Sequence, residues 1–217
     1  MSSSSDPAVS PRLLLVHGLW RTPLSFLTLM RRLRGWGYRT QPFGYAAMGE
    51  RYDAIVGRLV NALERLAATG PYGVIGHSLG GVLLRSALPR ITGPAPAHLV
   101  MLGTPNQPPR LAGRLGTYRA YRHLMGECGV NLASPAFYAG LPVPEIPCTI
   151  IAGTAGPQGR WSPFGGEPND RVVAVSETHL RDGDPVVRLP VGHTFMMNHA
   201  GVQAVIRRAL SGSVSTP

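Results

Sequence analysis

Short apolar runs alternate along the chain with segments whose apolar residues recur at helical spacing. The run at residues 12–18 lacks polar alternation, which is typical of a strand buried on both faces of a parallel sheet. Similar short runs predict further strands at residues 38–45, 71–78, 97–105, 148–154 and 185–191. The strand at residues 38–45 contains Pro42, which lacks a backbone N–H, so this strand is expected near a sheet edge.

Helical periodicity fills most of the intervals between these strands. The first helix begins at Thr22 and Pro23, a capping residue followed by proline at the first helical position. Further helical segments are predicted at residues 52–70, 79–88, 172–180 and 198–210. Strands that alternate with helices predict an α/β domain, with a mostly parallel central sheet and helices on both faces.

Length and composition favour one globular domain. The chain has 217 residues, of which 44% are hydrophobic and 15% are charged, so it can bury a sizeable core. We expect the domain to span residues 12–211, between a flexible N-terminal tail at residues 1–11 and a C-terminal tail at residues 212–217. The N-terminus does not resemble a secretory signal and no apolar run could span a bilayer, which predicts a cytoplasmic protein.

The charge is strongly basic but scattered. The formal net charge is +10, and all 21 basic residues are arginines spread along the chain. A nucleic-acid footprint would cluster on one element, so we expect no nucleic-acid partner. A weak attraction to anionic membrane surfaces or acidic substrates fits this charge better. The two cysteines, Cys128 and Cys148, cannot form a disulfide framework and would be free thiols in a reducing compartment.

The stretch YGVIGHSLGG at residues 72–81 contains the pattern G-x-S-x-G around Ser78, at a predicted strand-to-helix junction. On a sharp turn of this kind the serine hydroxyl is exposed as a nucleophile, and flanking Gly76 and Gly80 allow strand and helix to approach each other. The amide of Leu79 then points from the helix N-terminus toward the reaction site. The alternative is that the glycines only end the strand and Ser78 caps the helix.

The loop HGLW at residues 17–20 follows the first strand. It can aim the amide of Leu19 at the same point as the amide of Leu79, which would make a two-donor oxyanion hole. His17 and His77 are expected to be structural, with His17 fixing this loop by hydrogen bonding.

The general base is expected to be a histidine after the last strand, within the stretch VGHTFMMNH. His193 follows the strand directly, whereas His199 starts or caps the terminal helix, so we favour His193. Asp170 lies in a loop that could bring its carboxylate to the far nitrogen of the imidazole. Glu167 is the nearest alternative acid.

The chain resembles the α/β-hydrolase superfamily, in its lipase and esterase-like branch. The resemblance covers residues 12–210 and is most specific at LVHGLW, VIGHSLGG, LGTPNQ, PNDRVVAV and LPVGHTFMMN, the last three of which are similar to a group of small bacterial hydrolases. It implies these roles: Ser78 as nucleophile, Asp170 as acid, His193 as base, and the amides of Leu19 and Leu79 as the oxyanion hole. Arg171 departs from the pattern, because relatives commonly have glycine after the acid.

The substrate pocket is less defined by the sequence. In the fold that the resemblance implies, an insertion at residues 106–147 would form a small lid or acyl-pocket wall, without room for a large cap domain. Tyr118 and Tyr121 in this segment, together with Trp20 and Phe195, are candidate substrate contacts. The two tyrosines could equally pack onto the core, and for Trp20 or Phe195 taken alone core packing is the favoured role.

Three functions therefore remain open. The first is hydrolysis of short- to medium-chain carboxylic esters or lipids through an acyl-enzyme. The second is acyl transfer or thioester hydrolysis by the same three residues. The third is a binding protein with an idle hydrolase fold. We expect no metal and no organic cofactor, since acyl transfer by serine, histidine and aspartate needs none. Zinc ligation is a weak alternative, because the histidines and cysteines show no close pairing with ligand spacing. The oligomeric state is not readable from the sequence.

Overall fold

Six parallel strands form one sheet in the order β2-β1-β3-β4-β5-β6. The computed structural model describes residues 11–212, so the predicted tails lie almost wholly outside the described residues. The strands are β1 (Arg12–Val16), β2 (Arg39–Phe43), β3 (Tyr72–His77), β4 (Leu99–Leu102), β5 (Cys148–Gly153) and β6 (Val186–Leu189). The helices are α1 (Leu27–Gly35), α2 (Tyr52–Ala67), α3 (Leu79–Ala87), α4 (Arg110–Gly116), α5 (Arg119–Leu132), α6 (Pro135–Ala139) and α7 (Ala200–Gly212).

The sheet is buried on both faces, which explains the unbroken apolar runs. Leu13 and Leu15 of β1 pack into a cluster with residues of α1 and α7. Leu14 and Val16 of the same strand point the other way, into a cluster built with α2 and α3. Helices on both faces of a parallel sheet confirm the predicted fold class, and β2, which contains Pro42, is an edge strand as expected.

One predicted helix is wrong. The segment at residues 172–180 forms only a single 3-10 turn, Val175–Thr178. The side chain of Glu177 accepts a hydrogen bond from the amide of Ala174 (3.0 Å), and Ala174 also bridges antiparallel to Asn169. The backbone before the turn is therefore extended and fixed by these contacts, so the apolar residues there do not continue into a helix.

The segment between β4 and β5 forms the three helices α4, α5 and α6. Helix α5 is interrupted at Gly126, which has φ 62° and lies against the backbone of Met48. The buried guanidinium of Arg85, on α3, holds both ends of this segment. It donates to the carbonyl oxygens of Asn106 (2.9 Å), Leu141 (3.0 Å) and Pro142 (2.9 Å). We use the term insertion for residues 106–142, the part of the expected segment 106–147 that lies between these anchor points.

No helix within residues 11–212 combines the length and apolar character needed to cross a membrane. Both cysteines are free thiols, with Cys128 buried and Cys148 half-buried.

Candidate active site

Ser78 lies on the turn between β3 and α3 with φ 52° and ψ −121°. This backbone conformation is strained for a residue with a side chain and is found where the surroundings enforce it. The amide of Ser78 donates to the carbonyl oxygen of Leu102 (2.9 Å), which ties the turn to β4. The hydroxyl makes no capping hydrogen bond, so the strained residue is not serving as a helix cap.

Two glycines permit this turn. A Cβ atom at Gly80 would lie 2.0 Å from the carbonyl oxygen of Val16, and one at Gly76 would lie 2.6 Å from the amide nitrogen of Gly81. Both distances are far inside van der Waals contact with backbone atoms that cannot move independently. The β3–α3 connection therefore requires glycine at both positions.

Asp170 and His193 come from loops after neighbouring strands and meet at the carboxyl edge of the sheet. The Nδ1 atom of His193 lies 2.6 Å from Oδ2 of Asp170. The other carboxylate oxygen accepts from the amides of Val172 (3.0 Å) and Val173 (2.7 Å), and the amide of His193 donates to the carbonyl oxygen of Asp170 (2.9 Å). These bonds fix the carboxylate and the imidazole relative to each other, which leaves the other ring nitrogen of His193 for chemistry.

His77 supports the His193 loop. Its Nε2 atom donates to the carbonyl oxygen of His193 (3.0 Å), and the two rings lie 4.9 Å apart between centroids. Burial lowers the pKa of His77 well below its usual value, and the proximity of His193 lowers it further. A neutral His77 therefore holds the backbone of His193 without placing a second charge beside its ring. The sequence assigned His77 a structural role but gave no sign of this contact.

His17 holds the loop after β1. Its ring stacks on Tyr45 with centroids 4.1 Å apart, and the hydroxyl of Tyr45 donates to the carbonyl oxygen of His17 (2.6 Å). Its Nδ1 atom lies 2.9 Å from the carbonyl oxygen of Gly18, and burial lowers its pKa. A buried, neutral imidazole at this point suits a structural role.

The two expected oxyanion donors lie at chain turns. Leu79 is the first residue of α3, where the backbone N–H has no acceptor within the helix. Leu19 lies in a tight turn that is closed by a hydrogen bond from the amide of Arg21 to the carbonyl oxygen of Gly18 (3.2 Å). Trp20 in this turn has φ 58°, a conformation that usually selects glycine.

A cavity of about 470 Å³ opens beside Ser78 and His193. Its wall is mainly apolar and combines the loop after β1 with residues of α4 and α5, among them Leu111, Leu115, Tyr121, Met125 and Leu132. Trp20 lies at the cavity and donates its indole N–H to the sulfur of Met125 (2.8 Å). This bond joins the expected oxyanion loop to the insertion.

Two of the four expected substrate residues do not line this cavity. Tyr118 is 65% exposed, because it lies in extended backbone just before α5 and is off the helical face that carries Tyr121 and Met125. Phe195 is also 65% exposed and lines a smaller neighbouring cavity of about 250 Å³, together with Asp170 and His193.

Glu167, the alternative acid, contacts other groups. Its carboxylate pairs with Arg110 at the start of α4 and accepts from the amide of Ser176 (3.0 Å). Arg110 also binds the buried carboxylate of Glu177 (2.8 Å). This cluster joins the insertion to the loop that carries Asp170, and no local sequence signal pointed to it. Among residues 11–212, no group of three or more His, Cys, Asp and Glu side chains could hold a metal ion.

Comparison with solved structures places this architecture among known folds. The RedJ thioesterase from the prodiginine biosynthetic pathway of Streptomyces coelicolor is similar over 96% of this chain and 88% of its own, with 19% identity and a TM-score of 0.62. A thermophilic esterase from Thermogutta terrifontis matches 94% of this chain and 90% of its own, at 16% identity and a TM-score of 0.61.

An extracellular α/β-hydrolase from a Paenibacillus species matches 92% of this chain and 98% of its own, at 14% identity and a TM-score of 0.61. No protein-family model matches the sequence, and no curated protein matches it. The structural similarities show that the chain has the α/β-hydrolase fold.

Proposed function

We propose that the protein is a serine hydrolase that cleaves carboxylic esters of short to medium chain length through an acyl-enzyme. One observation carries the proposal. Ser78, held in a strained conformation, lines the same cavity as His193, whose Nδ1 atom is held 2.6 Å from the buried carboxylate of Asp170. A nucleophile, a base and an orienting acid in this order are the parts that acyl transfer requires.

In the first half of the reaction, the Ser78 hydroxyl attacks the ester carbonyl while Nε2 of His193 takes its proton. The carbonyl oxygen becomes an oxyanion that accepts hydrogen bonds from the amides of Leu19 and Leu79. Asp170 stabilises the imidazolium and keeps its orientation. The bond to the leaving group then breaks, and His193 gives its proton to the departing atom.

In the second half, water attacks the acyl-enzyme. His193 takes a proton from the water, and the same two amides bind the new oxyanion. Collapse of this intermediate breaks the bond to Ser78, whose oxygen recovers the proton from His193, and the acid product leaves. The cycle requires no reactant besides the ester and water.

The acyl chain would occupy the apolar cavity between the loop after β1 and the insertion. Its volume of about 470 Å³ lies in the lower part of the range for small-molecule sites, which favours short to medium chains. Leu111, Leu115 and Tyr121 would contact the chain.

Thioester hydrolysis or acyl transfer is the second candidate. The same residues would cleave a C–S bond by the same steps, and one of the similar structures is a thioesterase. The two candidates share Ser78 as the nucleophile. They differ in the atom that leaves and in the group that receives the acyl chain.

The first experiment is hydrolysis of p-nitrophenyl esters from acetate to palmitate, with the Ser78→Ala variant alongside. We expect an optimum at short to medium chains and a loss of at least about 10⁴-fold in kcat in the variant. A fluorophosphonate probe should label the wild type and not the variant. The absence of both hydrolysis and labelling would contradict the proposal and favour a binding protein.

Asp170→Asn tests the assigned acid. We expect kcat to fall by about 10³–10⁴-fold, because the amide can hold the wrong tautomer of His193 and cannot stabilise the imidazolium. Glu167→Gln is the matched control, since it also removes one carboxylate from the same loop, and its effect on kcat should be far smaller. An equal loss in both variants would contradict the assignment of Asp170.

A further inference from the structure

Two arginines line the two cavities that adjoin His193. Arg21 lines the main cavity and lies with its guanidinium 5.2 Å from the centroid of the Phe195 ring. Arg171 lines the smaller cavity, which it shares with His193 and Phe195. Phe195 therefore connects the two guanidinium-bearing loops, and both are adjacent to the proposed base.

Neither charge is compensated by the protein. No aspartate or glutamate lines the main cavity, and the smaller cavity contains only Asp170, whose oxygens are bound by His193 and by two amides. Within residues 11–212, Arg21 and Arg171 form no ion pair, whereas Arg110 binds two carboxylates. The two cavities thus contain two guanidinium groups that have no carboxylate partner among the described residues.

The backbone at Arg171 is unfavourable for an arginine. Its φ of 89° lies in the region that glycine adopts without strain, and its amide is fixed there by Oδ1 of Asn169 (3.0 Å). The turn that carries Arg21 is strained as well, at Trp20. Residues strained in this way cluster at active sites and ligand-binding segments.

The proposed reaction determines where the leaving group would lie relative to Arg21 and Arg171. His193 gives its proton to the departing atom, so the leaving group starts beside Nε2 of His193, while the acyl chain would occupy the apolar part of the cavity lined by α4 and α5. A leaving group that extends from there into the smaller cavity would pass Arg21 and reach Arg171, because the two cavities share Val172, His193 and Thr194. Arginine binds phosphate through paired hydrogen bonds in the plane of the guanidinium, and two arginines match a doubly charged phosphate.

We infer that the substrates are acyl esters or thioesters whose leaving group carries a phosphate, bound by Arg21 and Arg171. The inference rests on the proposed serine hydrolase function and adds the class of substrate. It requires no additional reactant, because the C–O or C–S bond breaks as described above and the phosphate itself is not transferred.

Two substrate pairs test the inference, each with the same octanoyl group. The thioester pair is octanoyl-coenzyme A, which has phosphates, and octanoyl-N-acetylcysteamine, which has none. The oxygen-ester pair is 1-octanoylglycerol 3-phosphate and 1-octanoylglycerol. For each pair the ratio of kcat/KM values, phosphate-bearing over neutral, is measured for the wild type and for the variants Arg21→Gln, Arg171→Gly and Arg31→Gln. Arg31 is an exposed residue of α1 and controls for the loss of one charge.

We expect a ratio of about ten or more in at least one pair for the wild type, and the pair that shows it identifies the source of the phosphate. Arg21→Gln and Arg171→Gly should each lower that ratio about tenfold, and Arg31→Gln should not. The preference should also weaken at about 1 M salt, because the arginines are partly exposed. Arg171→Gly should raise the melting temperature, since glycine relieves the strain.

A ratio near one in both pairs, or a preference that Arg21→Gln and Arg171→Gly leave intact, would overturn the inference. So would a melting temperature that falls in Arg171→Gly, because the arginine would then serve stability. These results leave the proposed function standing if the wild type, and not Ser78→Ala, hydrolyses p-nitrophenyl esters. Failure of the wild type to hydrolyse any ester or bind the fluorophosphonate would overturn the function itself.

Discussion

The turn around Ser78 and the insertion border the same cavity but are held in place differently. Every residue from 72 to 85 is buried, and the turn is fixed by backbone atoms of β1 and β4. Helix α4 of the insertion has no buried residue and is anchored by the side chains of Arg85 and Arg110, whereas α5 and α6 pack Cys128, Leu132 and Tyr138 into the core. The proposed chemistry therefore rests on rigid backbone packing, whereas α4 in the pocket wall depends on a few side-chain contacts.

The largest effect is expected at Gly80. A Cβ atom there would lie 2.0 Å from the carbonyl oxygen of Val16, so Gly80→Ala must separate α3 from β1. We expect a loss of more than about 4 kcal/mol in the free energy of unfolding, or failure to fold. Denaturant unfolding measures the loss of free energy, and the yield of soluble protein shows whether the variant folds. A variant with the wild-type midpoint would show that the turn is not as rigid as its packing implies.

Arg85 links the two regions, and its removal should loosen the insertion first. Arg85→Met keeps the length of the side chain but leaves the carbonyl oxygens of Asn106, Leu141 and Pro142 without their donor. We expect a loss of about 2–4 kcal/mol in the free energy of unfolding. Limited proteolysis should cut faster within residues 106–142, while fluorophosphonate labelling of Ser78 persists. Loss of labelling without faster cleavage would show that Arg85 supports the turn at Ser78 more than it supports the insertion.

Acid should weaken the buried region through His17 and His77. Burial lowers the pKa of both imidazoles in the folded protein, whereas the unfolded chain takes up protons near pH 6.5. The unfolded state therefore binds more protons below that pH, and stability present at neutral pH is lost as the pH falls. We expect a decline of about 1–3 kcal/mol per pH unit below pH 6.

Denaturant unfolding between pH 7 and pH 5 measures this slope. The variant His17→Asn should have a shallower slope by about one proton, because one of the buried imidazoles with a lowered pKa is gone. An unchanged slope would assign the acid sensitivity to other groups.

The smallest effect is expected in the insertion, at Gly113. A Cβ atom there meets nothing within 4 Å, and the residue lies inside α4. Gly113→Ala should raise the free energy of unfolding by about 0.5–1 kcal/mol, since alanine favours the helix. It is the matched contrast to Gly80→Ala, and a large destabilisation would show that α4 is packed as tightly as the turn.

The elements that the sequence predicted correctly are those that depend on neighbouring residues. The parallel strands follow from local apolar runs, and the strand–turn–helix at Ser78 follows from glycines two residues away on either side. The missing helix near Val175 depended on Glu177, whose carboxylate is held by Arg110, 67 residues away in the chain. Contacts at that separation leave no periodic trace in the sequence.

The pocket wall was less predictable for the same reason. Tyr118 and Tyr121 share a helical spacing, but only Tyr121 lines the cavity, because the helix begins after Tyr118. The anchors of Arg85 lie 21 to 57 residues away and are main-chain carbonyls, which carry no residue signature.

Because one guanidinium holds both ends of the insertion, its entry and exit points lie side by side on α3. A segment with adjacent ends can change length without moving the strands on either side of it. The exposed helix α4 has this freedom, whereas Cys128, Leu132 and Tyr138 of the same segment pack into the core and fix the rest of it. Changes confined to α4 would therefore reshape one wall of the proposed substrate cavity while the turn at Ser78 keeps its position.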